Sequence, residues 1–255
     1  MQNIFNSLAM VCILALTFNV TSSAQSTMPD QHFWGDFSGK INGRDIALSV
    51  YRKSADSLTG NYRFTNNPGN VFLLDGTVKN NRYALTGQNG EFIFDYQFDK
   101  AAKADKFEGN FTGTGGKQTP VALSMRSMVY GDENNRYGEL FGTTVAVDSF
   151  AAKIKTAFIN ADKEWLASRC QYPVNVFGLS GKKLTVIKNK EEFLTKFAGM
   201  FKKEYRDKFK KITCYNMFCQ HTGVLMGKGE VTINQTSNSE KDNYTYCITA
   251  ITVFM

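Results

Sequence analysis

The run Glu91-Phe92-Ile93-Phe94-Asp95-Tyr96-Gln97-Phe98 sets an aromatic residue at every second position: Phe92, Phe94, Tyr96 and Phe98. Successive side chains of a strand point to opposite faces, so this spacing predicts a single strand with one aromatic face. Inside a small barrel alternate side chains must fill the interior. The stripe is therefore read first as core and only second as a ligand platform. The same period of two extends outward in both directions. Ile46, Leu48 and Val50 alternate with Ala47, Ser49 and Tyr51, and the pattern recurs at Tyr62 and Phe64, at Tyr83 and Leu85, at Phe107 and Phe111, and at Val121, Leu123 and Met125. Turn signals separate these runs: Asn42-Gly43, Asn66-Asn67-Pro68-Gly69, Asn89-Gly90 and Gly113-x-Gly115-Gly116. About eight short strands with hairpin-length links predict an all-β up-and-down meander, rolled into a barrel or a wrapped sheet. Leu58-Thr59-Gly60, Leu74-Asp75-Gly76 and Leu85-Thr86-Gly87 form a weak internal repeat within it.

After Gly131 the periodicity changes. A polar, glycine-containing stretch at 131–144 reads as a linker. Asp148 is placed to cap a helix carrying Phe150, Ile154, Ala157 and Phe158 at helical spacing. A second short helix begins at Asp162 and carries Trp165 and Leu166, and the chain turns at Tyr172-Pro173. Leu184 to Ile187 is a strand. Asn189 with Glu192 three positions on opens a helix bearing Phe193, Phe197, Met200 and Phe201, which Gly199 is expected to bend before Tyr205 and Phe209. Strands follow at Gly223–Ile233 and Tyr244–Phe254. Three helices on a curved antiparallel sheet is an α+β order. The expected division is a leader at 1–24, a β-meander at 25–130, the linker at 131–144 and an α+β unit at 145–255.

Two resemblances attach to these runs. The L-x-G-x-Y/F strands of the first half resemble a β-meander module of exported bacterial proteins, which implies a fold and no activity. In the second half, Phe150, Asp162-Lys163, Tyr172-Pro173, Asn189-Lys190-x-Glu192-Phe193 and G-V-L-M-G-K-G-E-V from Gly223 to Val231 come in a telling order. That series is similar to exported members of the nuclear-transport-factor-2-like superfamily, the cystatin-like cone fold. The resemblance implies a cone whose interior can form a pocket, with Trp165, Tyr172, Phe193, Phe197, Tyr205 and Met226 as its candidate lining.

Met1 to Gln25 reads as a secretory signal peptide. Leu8–Val20 is apolar apart from Thr17 and Asn19, and Thr21-Ser22-Ser23-Ala24 supplies small residues for cleavage after Ala24. The run is shorter than the roughly 20 residues a membrane span needs, and no later segment is long and apolar enough to span. Cys12 lacks the small residue expected ahead of a lipidated cysteine. The protein is thus expected to be exported, periplasmic or secreted in a bacterial envelope. Cys170, Cys214, Cys219 and Cys247 then suit two disulfides, a local one between Cys214 and Cys219 leaving Cys170 for Cys247, although three pairings are open.

The chain is 42% hydrophobic and 21% charged with a net charge of +7, which excludes disordered and acidic, solvating classes. Residues 25–142 carry 13 basic and 13 acidic side chains, and residues 143–255 carry 17 and 10, so the whole excess lies in the second half. Lys202, Lys203, Arg206, Lys210 and Lys211 form a candidate anionic-surface contact. Nucleic acid is not an expected partner, because no aromatic-basic reader motif accompanies the charge. No metal-ligand spacing and no cofactor motif is present. His221, Asp162 and Glu230 are the weak candidates for acid–base chemistry. Each has a bland reading: a surface histidine, a helix start and a strand residue of unknown facing. The sequence therefore points to an exported non-catalytic binding protein, its partner a small molecule, an envelope component or a protein. The alternatives are a cone-pocket enzyme of isomerase, dehydratase or hydrolase type, and an inhibitor or envelope interaction protein. Oligomeric state is open, a dimer included.

Overall fold

The computed structural model describes residues 33–67, 69–138, 141–238 and 243–253. The expected leader, Cys12, His32 and Phe254 lie outside the described residues.

The first half is a closed barrel of eight antiparallel strands in chain order: β1 (Phe33–Ile41), β2 (Arg44–Arg52), β3 (Ser57–Phe64), β4 (Phe72–Lys79), β5 (Arg82–Gly87), β6 (Gly90–Asp99), β7 (Ala104–Gly113) and β8 (Gln118–Tyr130). β1 pairs with β8, from Phe33↔Tyr130 to Gly39↔Leu123, and this closure removes both sheet edges. The Asn42-Gly43 turn has φ values of 49° and 75°, the left-handed pair that a two-residue hairpin link requires. The interior is packed with Phe37, Leu48, Tyr83, Phe92, Phe94, Tyr96, Phe107 and Leu123. Phe94 and Phe107 stack with ring centroids 5.0 Å apart, and Phe37 lies 4.4 Å from Phe107. The aromatic stripe is core, with one exception. Phe98 is 51% exposed, because it sits at the last pairs of β6 with β7, beyond the filled interior. The glycines of the weak repeat also gain a physical role. A Cβ on Gly60 would lie 2.4 Å from the Ser49 carbonyl oxygen, and one on Gly76 2.0 Å from that of Ala84. Neighbouring strands cross too closely there for any side chain.

The second half is a mixed sheet with helices. Its elements are α1 (Thr144–Asn160), α2 (Lys163–Ser168), β9 (Cys170–Gly178), β10 (Lys183–Ile187), α3 (Lys190–Met200), α4 (Lys203–Lys208), a 3-10 turn (Phe209–Lys211), β11 (Phe218–Gln220), β12 (Gly223–Met226), β13 (Val231–Asn238) and β14 (Asn243–Val253). The sheet order is β10-β9-β14-β13-β12-β11. All neighbours are antiparallel except β14 and β9, so the expected antiparallel sheet is in fact mixed. The first and last strands of this half lie side by side, and the intervening elements make the long connection that a parallel pair needs.

Several local expectations change. α1 starts four residues before Asp148, with Thr143 as its cap accepting from the Ala146 amide at 3.3 Å, and Asp148 lies inside the helix. Tyr172-Pro173 falls within β9 rather than at a turn. The α3–α4 break comes at Phe201 and Lys202, not at Gly199. Gly223–Ile233 is two strands joined by a turn at Gly227–Glu230, with β11 added before them. The caps Asp162 and Asn189 are as expected, accepting from the amides of Trp165 at 3.1 Å and Glu192 at 2.9 Å.

The outer face of β8-β1-β2-β3 is covered by the second half. Trp34, Ser49, Tyr51 and Arg63 alternate outward, yet each is buried. Arg136, 1% exposed, reaches into this seam and pairs with Asp36 at 2.6 Å. It also donates to Ser49 Oγ at 2.7 Å and lies over the Trp34 ring. Trp34 donates from Nε1 to the Asp132 carbonyl at 2.8 Å, and Asn216 donates to Asn61 at 2.6 Å. Residues 131–138, read as linker, are held in place by these contacts.

Candidate functional site

Open space beside aromatic and charged side chains occurs where α1, α2 and the start of β14 meet. Phe150, Lys153, Ala157 and Asn160 recur at three- and four-residue spacing along one side of α1. Asp162 caps α2 and so fixes its third residue, Trp165, while Leu166 and Ala167 anchor the helix in the core. Arg169, four residues beyond Trp165, ends α2 and places its guanidinium 5.7 Å from the Trp165 ring. Tyr246 enters from β14, its hydroxyl donating to the Phe141 carbonyl at 2.6 Å. Phe150 lies 6.0 Å from Trp165 and 5.5 Å from Tyr246, ring to ring.

Two clefts meet at Lys153 and Trp165. One, of about 250 Å³, is bounded by Phe150, Lys153, Trp165, Arg169, Thr245 and Tyr246. The other, of about 330 Å³, runs along α1 past Thr156 and Asn160 to Asp162. Of the residues singled out from sequence, only Trp165 and Asp162 border this groove. Helical spacing places Phe150 and Ala157 in the helix core, and nothing in the pattern of Lys153, Arg169 or Tyr246 distinguishes them. They are brought together from three elements.

The other candidates lie elsewhere. Phe193, Phe197, Tyr205 and Met226 are buried in the core of the second half. There Phe158 stacks on Phe209 at 4.2 Å, and Phe201 packs against Phe197 and Tyr205. Tyr172 is half-buried and donates to the Ala167 carbonyl at 2.9 Å. Glu230 is buried, and its carboxylate accepts from the Lys228 amide within its own turn. His221 is exposed in the β11–β12 turn. Lys202 and Lys211 are exposed, and Arg206 is half-buried. Lys203 and Lys210 both reach Asp207, at 2.6 and 2.7 Å, and the two ammonium groups hold its carboxyl down at about 2. Among the described residues no group of His, Cys, Asp and Glu is arranged to hold a metal ion. No described helix is long and apolar enough to cross a membrane.

The disulfide expectation is corrected: Cys170, Cys214, Cys219 and Cys247 are all free. Cys214 faces the core of the second half, whereas Cys219 directs its sulfur to the Tyr137 carbonyl at 3.5 Å, toward the barrel seam. Cys170 and Cys247 lie on adjoining strands, but Cys247 Sγ is 3.5 Å from both Gln171 Oε1 and the Asn234 carbonyl oxygen. Burial pushes the thiols up, Cys170 to about 12 and the other three to about 11, so all are protonated near neutrality.

The seam holds a second polar cluster that the sequence did not announce. Asp36 accepts from Ser49, Ser127 and Arg136. Tyr137 donates to Asp148 at 2.6 Å and accepts from the Met217 amide. Burial raises the Asp148 carboxyl to about 6, against opposing pulls from Tyr137, Arg136 and Arg63. Arg63 Nη1 is buried without a hydrogen-bond partner among the described residues. Ser49, Arg63, Arg136 and Tyr137 are buried, Asp36, Ser127 and Asp148 half-buried, and the cluster joins the two halves.

Comparison with family models, with curated proteins and with solved structures found no match to this chain.

Proposed function

We propose that this is an exported, non-catalytic binding protein whose α+β half takes up a small molecule in the α1/α2/β14 groove. The observation that carries the reading is the 250 Å³ cleft itself, where Phe150, Trp165 and Tyr246 adjoin Lys153 and Arg169. The barrel interior and the core beneath the helices are filled by aromatic side chains, which directs binding to this outer site. The non-catalytic part rests on the duties of the acid–base candidates: Asp162 caps α2 and Glu230 holds its turn. Export rests on residues 1–24, and the cone assignment on the order of two helices, two strands, helices and four further strands in one six-stranded sheet. The basic cluster supports an anionic-surface reading less well, since two of its lysines are already paired with Asp207.

Trp165 borders the groove and the chain's other tryptophan, Trp34, is buried in the seam, so the two report different places. A fragment panel of neutral, anionic and cationic aromatic compounds is screened by tryptophan emission and by thermal shift. Ligands of the groove change emission in the wild type and not in Trp165→Phe, and they raise the melting temperature. Binders that leave the Trp165 signal untouched would move the site elsewhere.

A further inference from the structure

Resting on that reading of the groove, we infer that its ligands are planar aromatic carboxylates of one or two rings. The selectivity for charge comes from two cations, Lys153 and Arg169. Among the described residues neither Lys153 nor Arg169 has a carboxylate within ion-pair distance. Four lysines of the same half are matched, Lys190 with Glu164, Lys196 with Glu192, and Lys203 and Lys210 with Asp207, all within 3.6 Å. What sets Lys153 and Arg169 apart from the half's other described cations without an ion pair, such as Lys163 and Lys182, is that they share a cleft. Lys153 and Arg169 come from different helices and border one cleft.

The geometry of Arg169 makes a carboxylate the fitting anion. Its guanidinium carbon lies 5.7 Å from the Trp165 ring centroid, within cation–π range, and a guanidinium's fork of N–H donors suits two parallel hydrogen bonds to a carboxylate. Lys153 supplies a second donor without geometric preference. The ligand's ring finds apolar surface chiefly on the half-buried Trp165 and Tyr246, the latter held by its hydroxyl bond, with the buried Phe150 packed against both. Both clefts are shallow and open, and each offers room beside its side chains for one or two rings. At about 250 and 330 Å³ the two clefts lie around the small end of ligand pockets, which matches a ligand of that size.

Charge also orients the ligand. Asp162 and Arg169 flank opposite ends of α2, and Asp162 borders the second cleft whereas Arg169 borders the first. A carboxylate is drawn to the Arg169 end, and a second one pointing toward Asp162 is repelled. Monocarboxylates are thereby favoured over extended dicarboxylates.

The test uses the mature chain and isothermal titration calorimetry with three probes of one shape: 2-naphthoate, 2-naphthamide and 2-naphthylmethylammonium. The expected order has 2-naphthoate binding about tenfold tighter than the amide, the scale of one charge-assisted hydrogen bond at a partly exposed site. The ammonium probe binds more weakly still. Arg169→Gln with Lys153→Gln brings naphthoate down to the amide level, and Trp165→Ala weakens all three. Raising salt weakens naphthoate alone. Equal binding of naphthoate and naphthamide, both sensitive to Trp165→Ala, would overturn the carboxylate inference and leave the groove standing. Absence of binding by every probe, or binding indifferent to Trp165→Ala, would overturn both.

Discussion

Replacing Arg136 with alanine removes a charged side chain that the seam buries almost completely. Arg136 is 1% exposed and Asp36 16%, with 2.6 Å between Nη2 and Oδ2. Breaking a buried pair costs about 3–5 kcal/mol, because the surviving charge stays desolvated. Here Asp36 keeps some solvent and still accepts from Ser49 and Ser127, which places the loss near the lower figure, about 3 kcal/mol. At about 2–4 °C per kcal/mol for a chain of this size, the melting temperature falls by roughly 6–12 °C. Circular dichroism melts at pH 7 measure it directly. The loss should persist between low and high salt, since a pair this buried is screened little. Losing the pin also frees residues 131–138, so limited proteolysis of Arg136→Ala should cut there while the wild type resists. The double variant Asp36→Leu/Arg136→Met, which removes both charges at similar volume, should recover most of the stability. A single variant melting within about 2 °C of the wild type would refute the view that this pair couples the two halves. So would a double variant as unstable as the single.

The other predictions concern the seam, the barrel and the thiols. Asp148, raised to about 6 by burial, holds in the folded chain a proton that the unfolded chain releases near pH 4. Its contribution is therefore complete below about pH 4 and is lost, by about 2–3 kcal/mol, as pH rises through about 6. Asp148→Asn should gain stability over the wild type at pH 7.5 and match it at pH 4; parallel melts at the two pH values decide this, and a constant difference would count against it. Gly76→Ala sets a Cβ 2.0 Å from the Ala84 carbonyl oxygen and should destabilise by about 1–3 kcal/mol, read from urea unfolding midpoints. Gly115→Ala, where a Cβ meets nothing within 4 Å, should change little. Alkylation of the denatured, unreduced chain should label Cys170, Cys214, Cys219 and Cys247 in peptide mass spectra; protection of any pair would restore the disulfide expectation.

What could be read from the chain was local. Period-two spacing, Asn-Gly turns and a change to helical spacing after Gly131 locate the strands of the barrel and the start of the α+β half. The caps at Asp162 and Asn189 were legible because each bonds an amide three residues away. Asp148 misled for the same reason. It has the chemistry of a cap, but Thr143 holds that position and Asp148 is drawn to Tyr137 instead. The Gly60 and Gly76 repeat was visible as a pattern, while its cause, a carbonyl of the adjacent strand, appears only once the strands cross.

The sequence by itself determined which residues share a face; it did not determine what covers that face. Ser49 and Tyr51 alternate outward as their spacing requires, and they are buried because the second half docks on β8-β1-β2-β3. Closure of the barrel depends on Phe33 meeting Tyr130, and mixing of the sheet on β14 meeting β9. The groove has the same character. Trp165 stood out alone, whereas Phe150, Lys153, Arg169 and Tyr246 acquire meaning only from three elements converging on one cleft. Caps, turns and alternation are short-range and are written in neighbouring residues. Docking, closure and pockets join positions dozens of residues apart, and those distances are set only when the chain has folded.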